Sequence, residues 1–245
     1  MKKLIKENEL RSIIKESILN ILSEAQILID NFDKVKHMLS FKNSDDFYFV
    51  QIIKRFKDNP NMSKSGNYHA GGEYLDTWKI FTVDDLMKYK ADIIKACEVN
   101  NARAYITVNP RSESQIKTFV STFRRRFRPD DPRYKHAEEI LAGQAKGHWD
   151  DRPVLFLDID TKDKRIWDGV DDILNRFGIK ELFRYTTPSG GLHIVLPDKG
   201  HKYMNDVKHL FSKFDNYRNM GRLSTVHPNE DGKIILYSNV NTKGY

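Results

Sequence analysis

The chain of 245 residues predicts an α+β domain, built around a mixed or antiparallel sheet with helices packed on it and an N-terminal helical extension. Two stretches carry that expectation. Val154-Leu155-Phe156-Leu157-Asp158-Ile159-Asp160 is a continuous apolar run, bounded by Pro153 and ending in two aspartates, and reads as a buried strand. Residues 182–186 and 192–196 read as a strand and its return, joined by the turn Pro188-Ser189-Gly190-Gly191. Segments with apolar residues at helical spacing lie between and before these strands.

Taken in order, residues 3–24 place Leu10, Ile13, Ile14, Ile18, Ile21 and Leu22 on one stripe of an amphipathic helix. Such a helix docks a protein partner or folds back on its own domain, and both readings stay open. Its mixed charges disfavour membrane insertion. The extension is expected over 1–40 and the main domain over 41–245. The run Phe47 to Ile53 reads as a strand, residues 58–73 as a loop rich in glycine and asparagine, and residues 74–81 as a short strand. Thr82 with Asp85 opens a helix expected to run through Cys97. Residues 102–111 form the next strand and end in Asn109-Pro110. Ser112 and Gln115 cap a helix whose stripe Ile116, Phe119, Val120, Phe123 and Phe127 is expected in the core. A loop-rich insert covers 129–151. A helix over 168–177 closes at Gly178, another covers 202–214, and Lys233 to Tyr237 is a buried strand.

Composition narrows the function. Hydrophobic residues make up 39% of the chain and charged residues 31%, which suits a chain that folds around a core. No apolar run approaches the length of about 18 residues that a membrane helix needs. The basic N-terminus lacks an apolar signal core. Cys97 is the one cysteine, which excludes an internal disulfide and a cysteine-rich zinc site and points to the cytoplasm. A net charge of +7 favours polyanionic partners. Part of it is concentrated in Arg124, Arg125, Arg126 and Arg128 at a helix end. Cations there complement the helix dipole, but four in five positions exceed that need and read as contacts to nucleic-acid phosphates.

The chemistry-bearing residues converge on the two stretches named first. Successive same-face positions of a strand are i and i+2, so Asp158 and Asp160 aim their carboxylates one way. A divalent cation relieves that repulsion, and Mg²⁺ or Mn²⁺ prefers hard oxygen ligands. Gly190 and Gly191 permit close backbone approach, their N–H groups with Ser189 form a candidate anion nest, and His193 projects just beyond the turn.

A strand ending in Asp-x-Asp, followed by Thr187-Pro188-Ser189-Gly190-Gly191-Leu192-His193, resembles the archaeo-eukaryotic primase, or primase-polymerase, superfamily over roughly residues 100–240. The resemblance implies a two-metal nucleotidyltransferase that adds nucleoside triphosphates on a single-stranded template in DNA replication or repair. Asp158 and Asp160 are then metal ligands and His193 touches the nucleotide phosphates, with Ser189, Gly190, Gly191 and Arg222 beside them. The family's third acid matches Asp215, which follows Phe214 and precedes Arg218 and Arg222, or else Glu230 or Asp231. The chain lacks the residues of the zinc module that many primases carry. A non-catalytic nucleic-acid-binding module on the same scaffold is the alternative.

Overall fold

The structure, a computed structural model, describes residues 27–63, 71–141, 154–197, 209, 226–229 and 232–240. The helix expected over 3–24 lies outside the described residues, as does nearly all of the one over 202–214. Asp215, Arg222, Glu230 and Asp231 lie outside them too.

Two sheets form the frame. The first has the order β1–β10–β4–β2–β3, from β1 (Ile29–Asp30), β2 (Asp46–Arg55), β3 (Gly72–Ile80), β4 (Arg103–Thr107) and β10 (Lys233–Ser238); the short β5 (Arg111–Ser112) pairs with β2. The second has the order β7–β8–β6–β9, from β6 (Val154–Ile159), β7 (Phe183–Thr186), β8 (Leu192–Pro197) and β9 (Val226–Asn229). Every pairing among the described strands is antiparallel. The helices are α1 (Phe32–Lys36), α2 (Val83–Lys88), α3 (Lys90–Asn100), α4 (Glu113–Arg124), α5 (Pro132–Lys135), α6 (Ala137–Leu141) and α7 (Lys164–Arg176). The chain is thus α+β, with antiparallel sheets.

Alternation along the strands sorts the core into layers. On β2, Tyr48, Val50 and Ile52 join Phe32 and Val35 of α1, Leu86 of α2, and Ile93 and Cys97 of α3 in the main apolar cluster. Phe47 and Phe49 take the other face and pack with Ile116, Val120, Ala137 and Leu141 of α4 and α6. On β6, Leu155, Leu157 and Ile159 pack with Ile166, Val170, Ile173 and Leu174 of α7. Burying each of those α7 side chains contributes about 1.5–3 kcal/mol. Val154 and Phe156 instead join the first sheet's cluster, together with Tyr185 and Val195. A strand covered on both faces has no reason to alternate in polarity, which is why residues 154–159 are continuously apolar up to Asp158.

Several expectations are revised. The helix expected from Thr82 through Cys97 is two helices that meet at Tyr89, and the second ends at Asn101 in a left-handed conformation (φ 48°) that asparagine tolerates. The Thr82–Asp85 capping box is present in both directions. Phe119 is 37% exposed, not core, because only Ile116, Val120 and part of Phe123 reach the cluster above β2. The insert after Pro129 is not loop throughout: it begins with α5 and α6, which bury Ala137 and Leu141. Residues 29–38, placed in the extension by sequence, belong to the first sheet and its core: β1 pairs with β10, and Phe32, Val35 and Met38 are buried. Asn31 seals this junction by donating its Nδ2–H to the Ile235 carbonyl at 2.8 Å. No helix among the described residues is long and apolar enough to cross a membrane.

Lys233 at the start of β10 reaches within 3.5 Å of the Tyr74 hydroxyl, and burial, then the Arg111 and Arg55 charges, push its ammonium down to about 8. Below that pH the lysine is protonated whether folded or unfolded, and the fold bears the full penalty of the charge. Between about 8 and the ordinary value of 10.5 the unfolded chain binds more protons, so stability rises with pH. Lys233→Met is therefore expected to raise the melting temperature by several degrees at neutral pH, with the advantage shrinking toward about pH 10. Equal melting temperatures at neutral pH would show that the buried ammonium carries no such penalty.

Candidate active site at the mouth between the sheets

The alternation that turns Phe156 toward the first sheet turns Asp158 the same way, one step nearer the strand end. Its side chain is 32% exposed, and Asp160 follows just past the end of β6 and is exposed. Strand register then sets a single row of polar residues across the second sheet. Tyr185 of β7 lies opposite His193 of β8, His193 opposite Asp158 of β6, and Asp158 opposite His227 of β9.

Three members of the row, Tyr185, His193 and Asp158, are joined by hydrogen bonds. His193 Nε2 is 2.9 Å from Asp158 Oδ1, and the Tyr185 hydroxyl is 2.6 Å from His193 Nδ1. The same hydroxyl accepts the Ile235 N–H at 2.7 Å, from β10 of the first sheet. Burial pulls the Asp158 carboxyl upward, but the hydrogen bond from His193 and the Lys57 ammonium outweigh it. The carboxyl is held below its ordinary range and is ionised at neutral pH.

The turn after β7 is tightly tied. Thr187 N–H donates to the Gly191 carbonyl and Gly190 N–H to the Thr187 carbonyl, both at 2.8 Å, while Gly191 N–H donates to Thr187 Oγ1 at 3.0 Å. Gly190 has φ 84°, and a Cβ on Gly191 would come within 2.5 Å of the Ile159 carbonyl oxygen. Glycine is needed at both positions to press the turn against the end of β6. The anion nest expected at Gly190 and Gly191 is not formed by their N–H groups, because the turn itself consumes both. Ser189 remains as the exposed polar group of the turn.

Ser189 is met from the first sheet. Lys57, in the turn after β2, donates from Nζ to Ser189 Oγ at 2.8 Å, bridging the two sheets. Burial, then the Arg103 and Arg55 charges, lower the Lys57 ammonium, against the pull of Asp58 and Asp160. Asp58, the next residue, forms a buried ion pair with Arg103 of β4, whose Nε donates to Oδ2 at 2.6 Å. That pair, with Asn59 Nδ2 bonded to the Asn101 carbonyl at 3.1 Å, fixes the turn that carries Lys57.

The structure places Asp158, Asp160, Ser189 and His193 at one mouth. It adds Lys57, Tyr185 and His227, which sequence reasoning assigns no role. Lys57 lies far upstream in a turn without a motif, and only strand register reveals Tyr185 and His227. The four arginines sit elsewhere, around the end of α4, and divide in role. Arg124 donates from Nε to the Tyr134 carbonyl at 3.0 Å and stacks on that ring, so it is structural. Arg125, Arg126 and Arg128 are exposed and have no acidic partner among the described residues. Arg124 and Arg125 line a cavity of about 520 Å³ with Lys117, Val120, Ser121, Tyr134 and Glu138.

Among the described residues no three His, Cys, Asp or Glu side chains converge on a common metal position. The donor chemistry at the mouth still fits Mg²⁺ or Mn²⁺. Such ions are commonly held by one or two carboxylates, with water and substrate phosphate oxygens completing the shell. Asp158 and Asp160 supply those carboxylates. Fold and site together define an α+β domain with two aspartates near a lysine, a serine and a histidine at an inter-sheet mouth. No protein-family model, no curated protein and no solved structure matches the chain.

Proposed function

We propose that the chain is a metal-dependent nucleotidyltransferase of the primase-polymerase type, which adds nucleoside triphosphates on a single-stranded nucleic-acid template. The observation that carries this reading is the opposition of charges at the mouth. Asp158 and Asp160 gather negative charge at the end of β6, while Lys57, Ser189 and His193 present donors beside them. A triphosphate with a divalent ion needs both sets at once. Bound there, the ion would stabilise the attacking and leaving oxygens. Lys57 and Ser189 bind phosphate oxygens, His193 places an N–H beside them, and the Asp58–Arg103 pair holds Lys57 in position. Phosphoryl transfer is catalysed mostly by such positioning and electrostatic stabilisation.

Purified protein incubated with Mg²⁺ or Mn²⁺, a single-stranded template and either deoxy- or ribonucleotides is expected to yield extended products. Salt-sensitive template binding without incorporation of either nucleotide set would reject the enzyme. It would favour the non-catalytic module.

Arg125, Arg126 and Arg128 give the template its phosphate contacts in this reading. Replacing all three with glutamine is expected to weaken binding by a similar factor for every sequence. It should also flatten the salt dependence by about two units of slope, at about 0.7 per phosphate on a single strand. A sequence-selective loss, or an unchanged slope, places the strand elsewhere.

A further inference from the structure

We propose that Tyr185 is a positioning residue that fixes the His193 imidazole as an Nε2–H donor facing the Asp158 end of the cleft. The catalytic significance of that donor rests on the nucleotide reading of the site; its geometry does not.

Two contacts converge on one buried hydroxyl. The Ile235 N–H can only donate, so at 2.7 Å it occupies an acceptor position on the Tyr185 oxygen. The one hydroxyl proton is then free to point at His193 Nδ1, 2.6 Å away. Burial raises the Tyr185 phenol well above its ordinary value, so the proton stays in place. A nitrogen that accepts a hydrogen bond is not protonated, and in a neutral imidazole the proton then resides on Nε2. Nε2 lies 2.9 Å from the Asp158 carboxylate, which can only accept. Every donor in the chain Ile235–Tyr185–His193–Asp158 thereby meets an acceptor.

The opposite tautomer fails twice. It turns an Nε2 lone pair toward a carboxylate, and it leaves the buried tyrosine proton with no acceptor in this chain. The ring is clamped from the sides as well, by the Phe156 and Tyr185 rings at centroid distances of 5.4 and 5.0 Å. His193 is therefore a preset donor to the Asp158 carboxylate, and a phosphate oxygen arriving beside Asp158 would share that one N–H with it. With Nε2 already protonated, it does not accept a proton there as a general base.

Imidazole ¹H–¹⁵N spectra of the full-length ¹⁵N-labelled protein test this directly, with the His193 signals assigned by their loss in His193→Gln. The wild type is expected to show a protonated, pyrrole-type Nε2 and an unprotonated, pyridine-type Nδ1. Tyr185→Phe removes only the hydroxyl; it is expected to lose that signature and to raise the nucleotide Kd roughly tenfold, leaving template affinity unchanged. A merely structural tyrosine would lower both affinities together. An Nδ1–H tautomer in the wild type, or an unchanged signature in Tyr185→Phe, overturns the proposal. If Tyr185→Phe does not fold, the wild-type spectrum decides by itself. A wild type with the Nε2–H signature that binds no nucleotide upholds the positioning and overturns the nucleotide reading.

Discussion

Asp158→Asn is expected to reduce metal-dependent nucleotide incorporation about a thousandfold or more, while the fold survives. The change keeps the size of the side chain and an oxygen that can still accept from His193 Nε2. What disappears is the negative charge at the end of β6. Stabilisation of a transferring phosphoryl group by a correctly held divalent ion is worth several kcal/mol, and about 4 kcal/mol corresponds to three orders of magnitude in rate. Stability should move little, because a carboxylate one-third exposed gives up only part of its hydration on folding. The measurements are incorporation rate and melting temperature on the same preparation. More than a tenth of the wild-type rate, with the fold intact, would remove Asp158 from the reaction.

The largest loss of stability is expected from Asp58→Asn. The Asp58 and Arg103 side chains are 1% and 2% exposed, and the carboxylate receives both Nε and NH2 of the guanidinium. Neutralising one member leaves a buried cation without its counter-charge, which destabilises by about 3–5 kcal/mol. That is a large share of the 5–15 kcal/mol typical of a whole domain. Adding Arg103→Met to Asp58→Asn should recover part of the loss, because two apolar or neutral groups no longer strand a charge. Chemical denaturation of the single and double variants tests this. A single-variant loss below about 1 kcal/mol would show that water reaches the pair. The same variant releases the turn that carries Lys57, so nucleotide affinity should fall even where the protein remains folded.

Much of this architecture is legible in the chain itself, for definite reasons. Residues 154–157 and 194–196 are apolar on both faces because α7 and the first sheet cover them, and such runs are conspicuous. The hairpin turn declares itself through Gly190 and Gly191, whose backbone demands are local. Less legible is anything set by packing between distant segments. The Phe119 position obeys the helical period, yet the layer beneath α4 is too narrow to cover it. Tyr89 breaks a helix whose apolar spacing runs on through it. At the mouth, Asp158 and His193 are readable by type and distance along the chain. Lys57 is supplied by a turn a hundred residues earlier, and the role of Tyr185 depends on an amide from the last strand of the other sheet.

That last contact also completes the hydrogen bonding along the first sheet. β1 spans only Ile29–Asp30, so it pairs with Tyr237 and Ser238 and leaves Ile235 beyond its reach. Both peptide groups of Ile235 are met by side chains instead, the carbonyl by Asn31 and the N–H by Tyr185. Two side chains thus complete a ladder that a longer strand would otherwise finish. The hydroxyl that orients an imidazole on one side satisfies a buried sheet amide on the other. Loss of that hydroxyl would leave the Ile235 N–H without its acceptor inside the fold as well as freeing the imidazole.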